Sequence, residues 1–280
     1  VLLTADSPPS PWHTLRAYGL PKGQRYRYRV LLDGQHLTDG EVDAAPPPAR
    51  PLRVLVFGDE RGLRSGIASG TAAIATAVLR EDPDLVLGTG DLLAEGGDLE
   101  GWREVAEAHR ALFAQVLYLP ALGNHELIND PEARTFRSFF PQADRRYYKV
   151  QHGRVLVIAL DSNRPNEPAQ TRFLASALRA APPNTTRIVI LHHPPFSVGA
   201  HCGSWQEIPD WLALFERHRV ELVIGGHDHA YQRAERNGVA YFVSGGGGAP
   251  LYPRSQPCTV ADQKALRLFR AEDRKSTRLN

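Results

Sequence analysis

Residues 116–126 read Val-Leu-Tyr-Leu-Pro-Ala-Leu-Gly-Asn-His-Glu, an apolar run that ends on an amide, an imidazole and a carboxylate. The same grammar recurs along the chain: Gly-Asp at 58–59 and again at 90–91, His-His at 192–193, and Gly-His-Asp-His at 226–229. The runs Leu52 to Phe57, Leu85 to Leu87, Val116 to Leu119, Val155 to Leu160, Ile188 to Leu191 and Leu222 to Ile224 are short and almost wholly apolar. That is the pattern of strands covered on both faces. Between several of them lie helix-like stretches, Ile67 to Arg80, Trp102 to Phe113, Gln170 to Ala180 and Pro209 to Arg219. Alternating strands and helices predict an α/β layered domain. In such domains ligands collect outside the carboxyl ends of the strands, so all five polar motifs are expected to converge.

The residue types at that convergence suit a hard or borderline metal. Two divalent cations about 3.5–4 Å apart need an anion between them, which Asp91 or Asp59 could supply. Asn124 offers a neutral oxygen, and His192, His227 and His229 complete a mixed N/O set for Fe, Mn or Zn. His227 and His229 stand two apart, so an extended segment points them the same way, whereas a tight turn divides them between two metals.

The ordered motifs resemble the calcineurin-like metallophosphoesterase superfamily over about residues 50–270. Their order, the Gly-Gly-Gly-Gly-Ala-Pro-Leu-Tyr run at 245–252 and the front segment resemble its purple acid phosphatase branch. The resemblance implies an α/β-β/α sandwich in which Asp59, Asp91 and His229 hold one metal. Asp91 as bridge, Asn124, His192 and His227 would hold the other. It also places His125 beside the leaving-group oxygen as acid or transition-state stabiliser, and His201 in a loop that faces substrate. Two departures stand out. The position that carries an iron-binding tyrosine in the purple enzymes is Ala94, so the chain should not be purple. The histidine that other branches place two residues after the first aspartate is replaced by Arg61, whose planar fork could hold a substrate phosphate.

Each motif alone has a plainer reading. A Gly-Asp after a strand is usually turn chemistry, a His-His-Pro-Pro run is a rigid loop entry, and a glycine cluster is a turn. Taken together, six ligand-type residues at strand ends are poorly explained as turns. His13, His36, His109, His152 and His218 fall outside the motifs and read as surface or packing residues. His193 reads either as an orienting neighbour of a ligand or as support for the Pro-Pro turn.

A chain of 280 residues with 42% hydrophobic content can bury one large or two modest domains. The 33 basic and 31 acidic residues nearly cancel, which gives no nucleic-acid footprint and no polybasic membrane patch. No apolar run reaches the ~20 residues of a membrane span. Residues 1–45 read as a separate β module: strands over Trp12 to Tyr18, Gln24 to Leu32 and Gln35 to Glu41, with turns at Leu20–Gly23 and Asp33-Gly34. They resemble the last strands of the fibronectin-III-like domain that precedes the catalytic domain in purple acid phosphatases. A Pro-rich spacer at 46–51 then leads to a catalytic domain over 52–272. Residues 273–280 read as a non-native tail, and the absence of methionine means that residue 1 is not an encoded start. Cys202 and Cys258 both fall in loops at the mouth of the expected site, where pairing and free thiols both remain open. An oxidised pair would agree with the secreted or periplasmic location that the resemblance implies.

The expected activity is hydrolysis of small phosphate monoesters by a metal-activated hydroxide. A phosphodiesterase or nucleotide-cleaving enzyme on the same core is the alternative, which the missing tyrosine favours. A non-catalytic binding module is the third reading, opposed by the joint presence of Asp91, Asn124, His125, His192, His227 and His229. The oligomeric state is not encoded in any of these features.

Overall fold

A computed structural model of the chain describes residues 5, 7, 13–47, 50–61, 68–254 and 258–271. Trp12, Ile67, part of the Pro-rich spacer and the tail at 273–280 lie outside them.

Three parallel strands, β3 (Val54–Phe57), β4 (Leu85–Gly88) and β5 (Leu117–Pro120), form one sheet. The second sheet has seven strands: β6 (Tyr148–His152), β7 (Val155–Ala159), β8 (Thr186–Ile190), β9 (Leu222–Gly225), β10 (Tyr231–Arg236), β11 (Val239–Ser244) and β12 (Leu266–Arg270). Their spatial order is β12-β10-β11-β9-β8-β7-β6, with β7, β8, β9 and β11 mutually parallel. Alternation along β7 shows how the layers stack. Val155, Val157 and Ala159 pack in one core with Leu85, Leu87 and Leu119 of the smaller sheet. Leu156, Ile158 and Leu160 pack in a second core with Leu174, Leu178, Trp211 and Phe215. Those last four lie on helices α5 (Pro168–Arg179) and α6 (Pro209–Arg217). Successive strand residues face opposite ways, so β7 is buried on both faces. Helices α1 (Ala68–Arg80), α2 (Leu99–Ala108) and α3 (Arg110–Gln115) join the first core through Val78, Trp102, Val105 and Leu112. The two sheets thus share one core with these helices, and the large sheet packs against α5 and α6 in the other. Two further α-helices, α4 (Arg134–Phe139) and α7 (Val260–Ala265), are short.

The single helix expected over Trp102 to Phe113 is broken at His109, where φ −101° and ψ 5° separate α2 from α3. Of the two readings, surface or packing, His109 takes the second: it is wholly buried. Its Nδ1 bonds the Val105 carbonyl at 2.9 Å and its Nε2 lies 3.0 Å from Glu60.

Residues 25–43 form an antiparallel hairpin, β1 (Arg25–Leu32) and β2 (Gln35–Asp43), turned by Asp33-Gly34 with φ of 50° and 79°. Arg25, Arg27 and Arg29 pair across it with Asp43, Glu41 and Asp39. The Tyr28 hydroxyl donates to the Ala114 carbonyl at 3.0 Å, which anchors the hairpin on α3. Residues 13–20 are not a strand, in contrast to the expectation for Trp12 to Tyr18. Among the described residues of the N-terminal segment, the hairpin is the only strand pair.

Candidate metal centre

Each motif follows the carboxyl end of a parallel strand. Asp59 lies two residues beyond β3, Asp91 three beyond β4, Asn124 and His125 four and five beyond β5, His192 two beyond β8, and His227 two beyond β9. These short excursions bend the backbone sharply. Asp59, Arg61, Asp91 and His227 have φ of 63°, 55°, 56° and 67°, the left-handed region that side chains other than glycine rarely adopt. Cross-loop hydrogen bonds impose it: Asp59 N–H donates to Gly90 O, while Glu60 and Arg61 N–H both donate to Asp91 O, at 2.9–3.0 Å. Gly247 N–H donates to Gly58 O at 2.8 Å, so the glycine run at 245–248 is a close backing for the Asp59 loop. A Cβ at Gly247 would collide with that carbonyl.

The side chains meet as the sequence implies. Asp59, Asp91 and His192 are wholly buried and their ligand atoms lie within 4.8 Å of one another. His192 Nε2 is 3.4 Å from Asp91 Oδ1, 2.9 Å from Asn124 Oδ1 and 3.2 Å from His227 Nδ1. His229 Nε2 is 3.7 Å from Asp59 Oδ1, and His125 Nε2 is 3.8 Å from Asp91 Oδ2. The opposite ring edges are tied to main-chain carbonyls: His192 Nδ1 to Thr89 at 2.8 Å, His229 Nδ1 to Pro250 at 2.7 Å, and His125 Nδ1 to Ala94 at 2.7 Å. A carbonyl can only accept, so each Nδ1 carries a proton, and Nε2 is the nitrogen that each ring turns toward the carboxylates and can offer to a metal.

Ligand-type atoms are left unpaired in this buried space. Asp91 Oδ2 and His229 Nε2 are buried without a hydrogen-bond partner. Burial opposes ionisation of Asp59 and holds its carboxyl well above the ordinary range. Burial acts the same way on Asp91, but His192 and His125 beside it outweigh burial and hold it below that range. Burial also works against a charge on His192, yet Asp91 and Asp59 lift it to about 10. Burial and then His192 push His227 down to about 2. The residues present therefore fit a metal centre: two carboxylates, one amide oxygen and three imidazoles, with Asp91 Oδ2 and His229 Nε2 left for a cation to satisfy.

Arg61 and His201 stand at its edge. Arg61 Nε lies 3.9 Å from Asp91 Oδ2 without a hydrogen-bond partner, and the side chain is a quarter exposed. The exposed His201 ring is centred 4.1 Å from that of His227 and 5.6 Å from that of Tyr252. Its loop is held from below. Asp228 accepts the His201 N–H at 2.9 Å and the Ser197 hydroxyl, and Gln232 receives the Val198 N–H at 2.8 Å. A disulfide joins Cys202 to Cys258.

Several positioning residues escaped the sequence reading. Glu126, wholly buried, accepts the N–H groups of Asp91, Leu92 and Gly123 at 2.7–3.0 Å. Burial and the Asp91 charge push its carboxyl up to about 7. Asp161 pairs with buried Arg146 at 2.8 Å, and Asn163 Nδ2 bonds the Leu122 and Gly123 carbonyls at 3.3 Å. The signal for this Asp161-Ser162-Asn163 segment was its place just past β7, the same address as the other motifs.

Residues 52–231 match the family model described as calcineurin-like phosphoesterase. The chain belongs to the calcineurin-like phosphoesterase family. This is a family of dinuclear metal-dependent phosphoester hydrolases. Within the family the chain is similar to purple acid phosphatase 21 of Arabidopsis thaliana, 26% identical over 84% of this chain and 58% of that protein. It is also similar to a 3′,5′-cyclic-nucleotide phosphodiesterase of a Nostoc species, 29% identical over 69% of this chain and 72% of that protein. The purple acid phosphatase structure from yellow lupin (Lupinus luteus) seeds superposes with a TM-score of 0.77 at 17% identity, covering 90% of this chain and 55% of that one. This last likeness shows a shared fold. The chain spans about half the length of several curated relatives it matches, 48% and 58% in two cases. In this calcineurin-like phosphoesterase, no helix among the described residues is long and apolar enough to cross a membrane.

Proposed function

We propose that the chain hydrolyses small phosphate esters, monoesters foremost, at a centre of two metal ions drawn from Fe, Mn and Zn. Asp59, Asp91 and His229 would hold one ion; Asp91, Asn124, His192 and His227 would hold the other. The observation that carries this reading is the placing of Asn124 Oδ1 and Asp91 Oδ1 within 3.4 Å of the buried His192 Nε2. Such ions, when bound, supply Lewis acidity and lower the pKa of coordinated water.

The chain's own groups do the rest. His125 donates Nδ1–H to the Ala94 carbonyl, so the nitrogen available to the leaving group is Nε2. To act as an acid His125 enters as the imidazolium and gives the Nε2 proton to the departing alkoxide. Arg61 presents a guanidinium to the phosphoryl oxygens, and His201 faces the same space from its braced loop. Attack by water leaves no phosphoenzyme, so a phosphohistidine formed on turnover would sink this mechanism. Domain limits follow the same reading: a β module over 1–45, a spacer at 46–51 and the catalytic domain over 52–272. The disulfide suits an oxidising compartment, hence a secreted or periplasmic enzyme.

A chromogenic phosphate monoester and the matching diester, offered to protein reconstituted with Mn, Fe or Zn, test the proposal. Faster monoester turnover supports it. Diester preference moves the chain toward the phosphodiesterase reading, which Ala94 and the Nostoc relative favour. No turnover with any metal leaves a binding module.

Two variants refine the edge of the site. Arg61→Ala is expected to raise KM by about tenfold with kcat little changed, the cost of one charge-assisted contact to substrate. An unchanged KM removes Arg61 from substrate binding. Replacing both Cys202 and Cys258 by Ser is expected to lower unfolding stability by roughly 2–4 kcal/mol. It should also raise KM through the His201 loop while leaving metal content intact. Denaturant unfolding and steady-state kinetics on one preparation read both effects.

A further inference from the structure

His193 is the one imidazole of the cluster that the assignment above leaves without a task. Its ligand-type nitrogen lies within 4.8 Å of those of His192 and His227, and its ring is centred 4.5 Å from the His227 ring. The side chain is only half-buried. Two chemistries fit that place: a further metal ligand, which needs a bare nitrogen, or a donor to substrate, which needs an N–H.

Ser162 decides between them. Its Oγ accepts the backbone N–H of His192 at 3.2 Å and that of His193 at 2.9 Å. A hydroxyl oxygen has two lone pairs, and both are then used. Its own hydrogen goes to the remaining neighbour, His193 Nδ1, at 2.9 Å. An imidazole that accepts at Nδ1 carries its proton on Nε2 when neutral. This is the reverse of His229, whose Nδ1–H donates to a carbonyl and whose Nε2 has no hydrogen-bond partner. One cluster thus holds rings of two tautomers, one suited to metal and one suited to an anion.

We propose that His193 is a substrate-binding residue whose Nε2–H donates to a non-bridging phosphoryl oxygen, and that Ser162 is the positioning residue that fixes its tautomer. The inference rests on the phosphoesterase reading for its ligand, but not on turnover. A donor fixed before the ester arrives needs no proton rearrangement on binding, which is the advantage of a preorganised site. Ser162 Oγ also accepts the main-chain N–H of His192, whose ring is fixed separately by the Thr89 carbonyl, so the part of Ser162 in phosphate binding runs through the His193 ring.

The test uses inorganic phosphate as the probe and the Mn-loaded protein, with binding followed by calorimetry and Mn content measured separately. His193→Ala is expected to weaken phosphate by about tenfold with the wild-type Mn stoichiometry retained. His193→Gln, which keeps an N–H donor, is expected to recover part of that loss. Ser162→Ala should weaken phosphate less, and the double variant should lose no more than His193→Ala alone, because Ser162 acts through the ring. Nitrogen NMR of the imidazoles in metal-free protein should find the His193 proton on Nε2, and a mixture of tautomers in Ser162→Ala. Loss of one Mn in His193→Ala would make His193 a ligand and overturn the proposal. Unchanged phosphate affinity, or a proton on Nδ1, would overturn it equally, as would wild-type protein that binds Mn but no phosphate. Wild-type protein that binds Mn and phosphate yet turns over no ester removes the catalytic reading and leaves the assignment of His193 standing.

Discussion

Asp91→Asn is expected to lower kcat by about 10³-fold or more and to release one of two bound metal ions, the effect of removing the anion that separates two like charges. The substitution keeps shape. Asp91 Oδ1 accepts the His125 N–H at 3.0 Å, and an amide oxygen can do the same, so the His125 loop keeps its anchor. Asp91 main-chain bonds to Glu60, Arg61 and the Glu126 carboxylate involve no part of its side chain. What changes is one charge, wholly buried and placed between His192, His125 and Arg61. Steady-state kinetics with metal analysis after dialysis checks the result. A variant that retains two tightly held ions and kcat within tenfold of wild type would show that Asp91 is not the bridge.

The strands around the site were legible because they are buried on both faces. A run such as Val155 to Leu160 has no polar alternation to obscure it, and β3, β4, β5, β7, β8 and β9 begin or end within two residues of the expected runs. The antiparallel end of the large sheet was not legible. In β10, Tyr-Gln-Arg-Ala-Glu-Arg, only Gln232 and Ala234 are buried, and a sequence of that composition reads equally as a helix or a loop. The helix break at His109 was hidden for another reason. Nothing local marks it; the ring is drawn inward by Glu60, about fifty residues earlier, and stacks on Phe113. The same division runs through the site. Residues that meet the cluster directly stand out by type, whereas Glu126, Ser162 and Asp228 act on main-chain N–H groups whose positions exist only after folding. The Glu of Gly-Asn-His-Glu was in plain sight, but nothing in its spacing says that it turns away from the cluster to hold the loops beneath it.

Glu126→Ala is therefore expected to cost stability before it costs chemistry. The carboxylate bridges two strand ends: Oε2 accepts from Asp91 N at 3.0 Å and Gly123 N at 2.8 Å, and Oε1 accepts from Leu92 N at 2.7 Å. Truncation strips three buried N–H groups of their acceptor, at about 1–3 kcal/mol each, so a loss of roughly 3–6 kcal/mol is expected. A cavity could admit water and soften that loss, which is why the lower half of the range is used. Glu126→Gln separates charge from shape. Its single oxygen cannot serve both Leu92 and the Asp91–Gly123 pair, and its NH₂ would face a donor, so it too is expected to destabilise, though less than Ala. The two loops it joins carry Asp91 and Asn124, so metal affinity should fall in step with stability in both variants. Chemical denaturation of the metal-free proteins isolates the structural cost, and metal titration of the same samples reads its consequence. Metal-free Glu126→Ala as stable as wild type would mean that the three N–H groups find other partners, and the carboxylate would then have no structural claim on this centre.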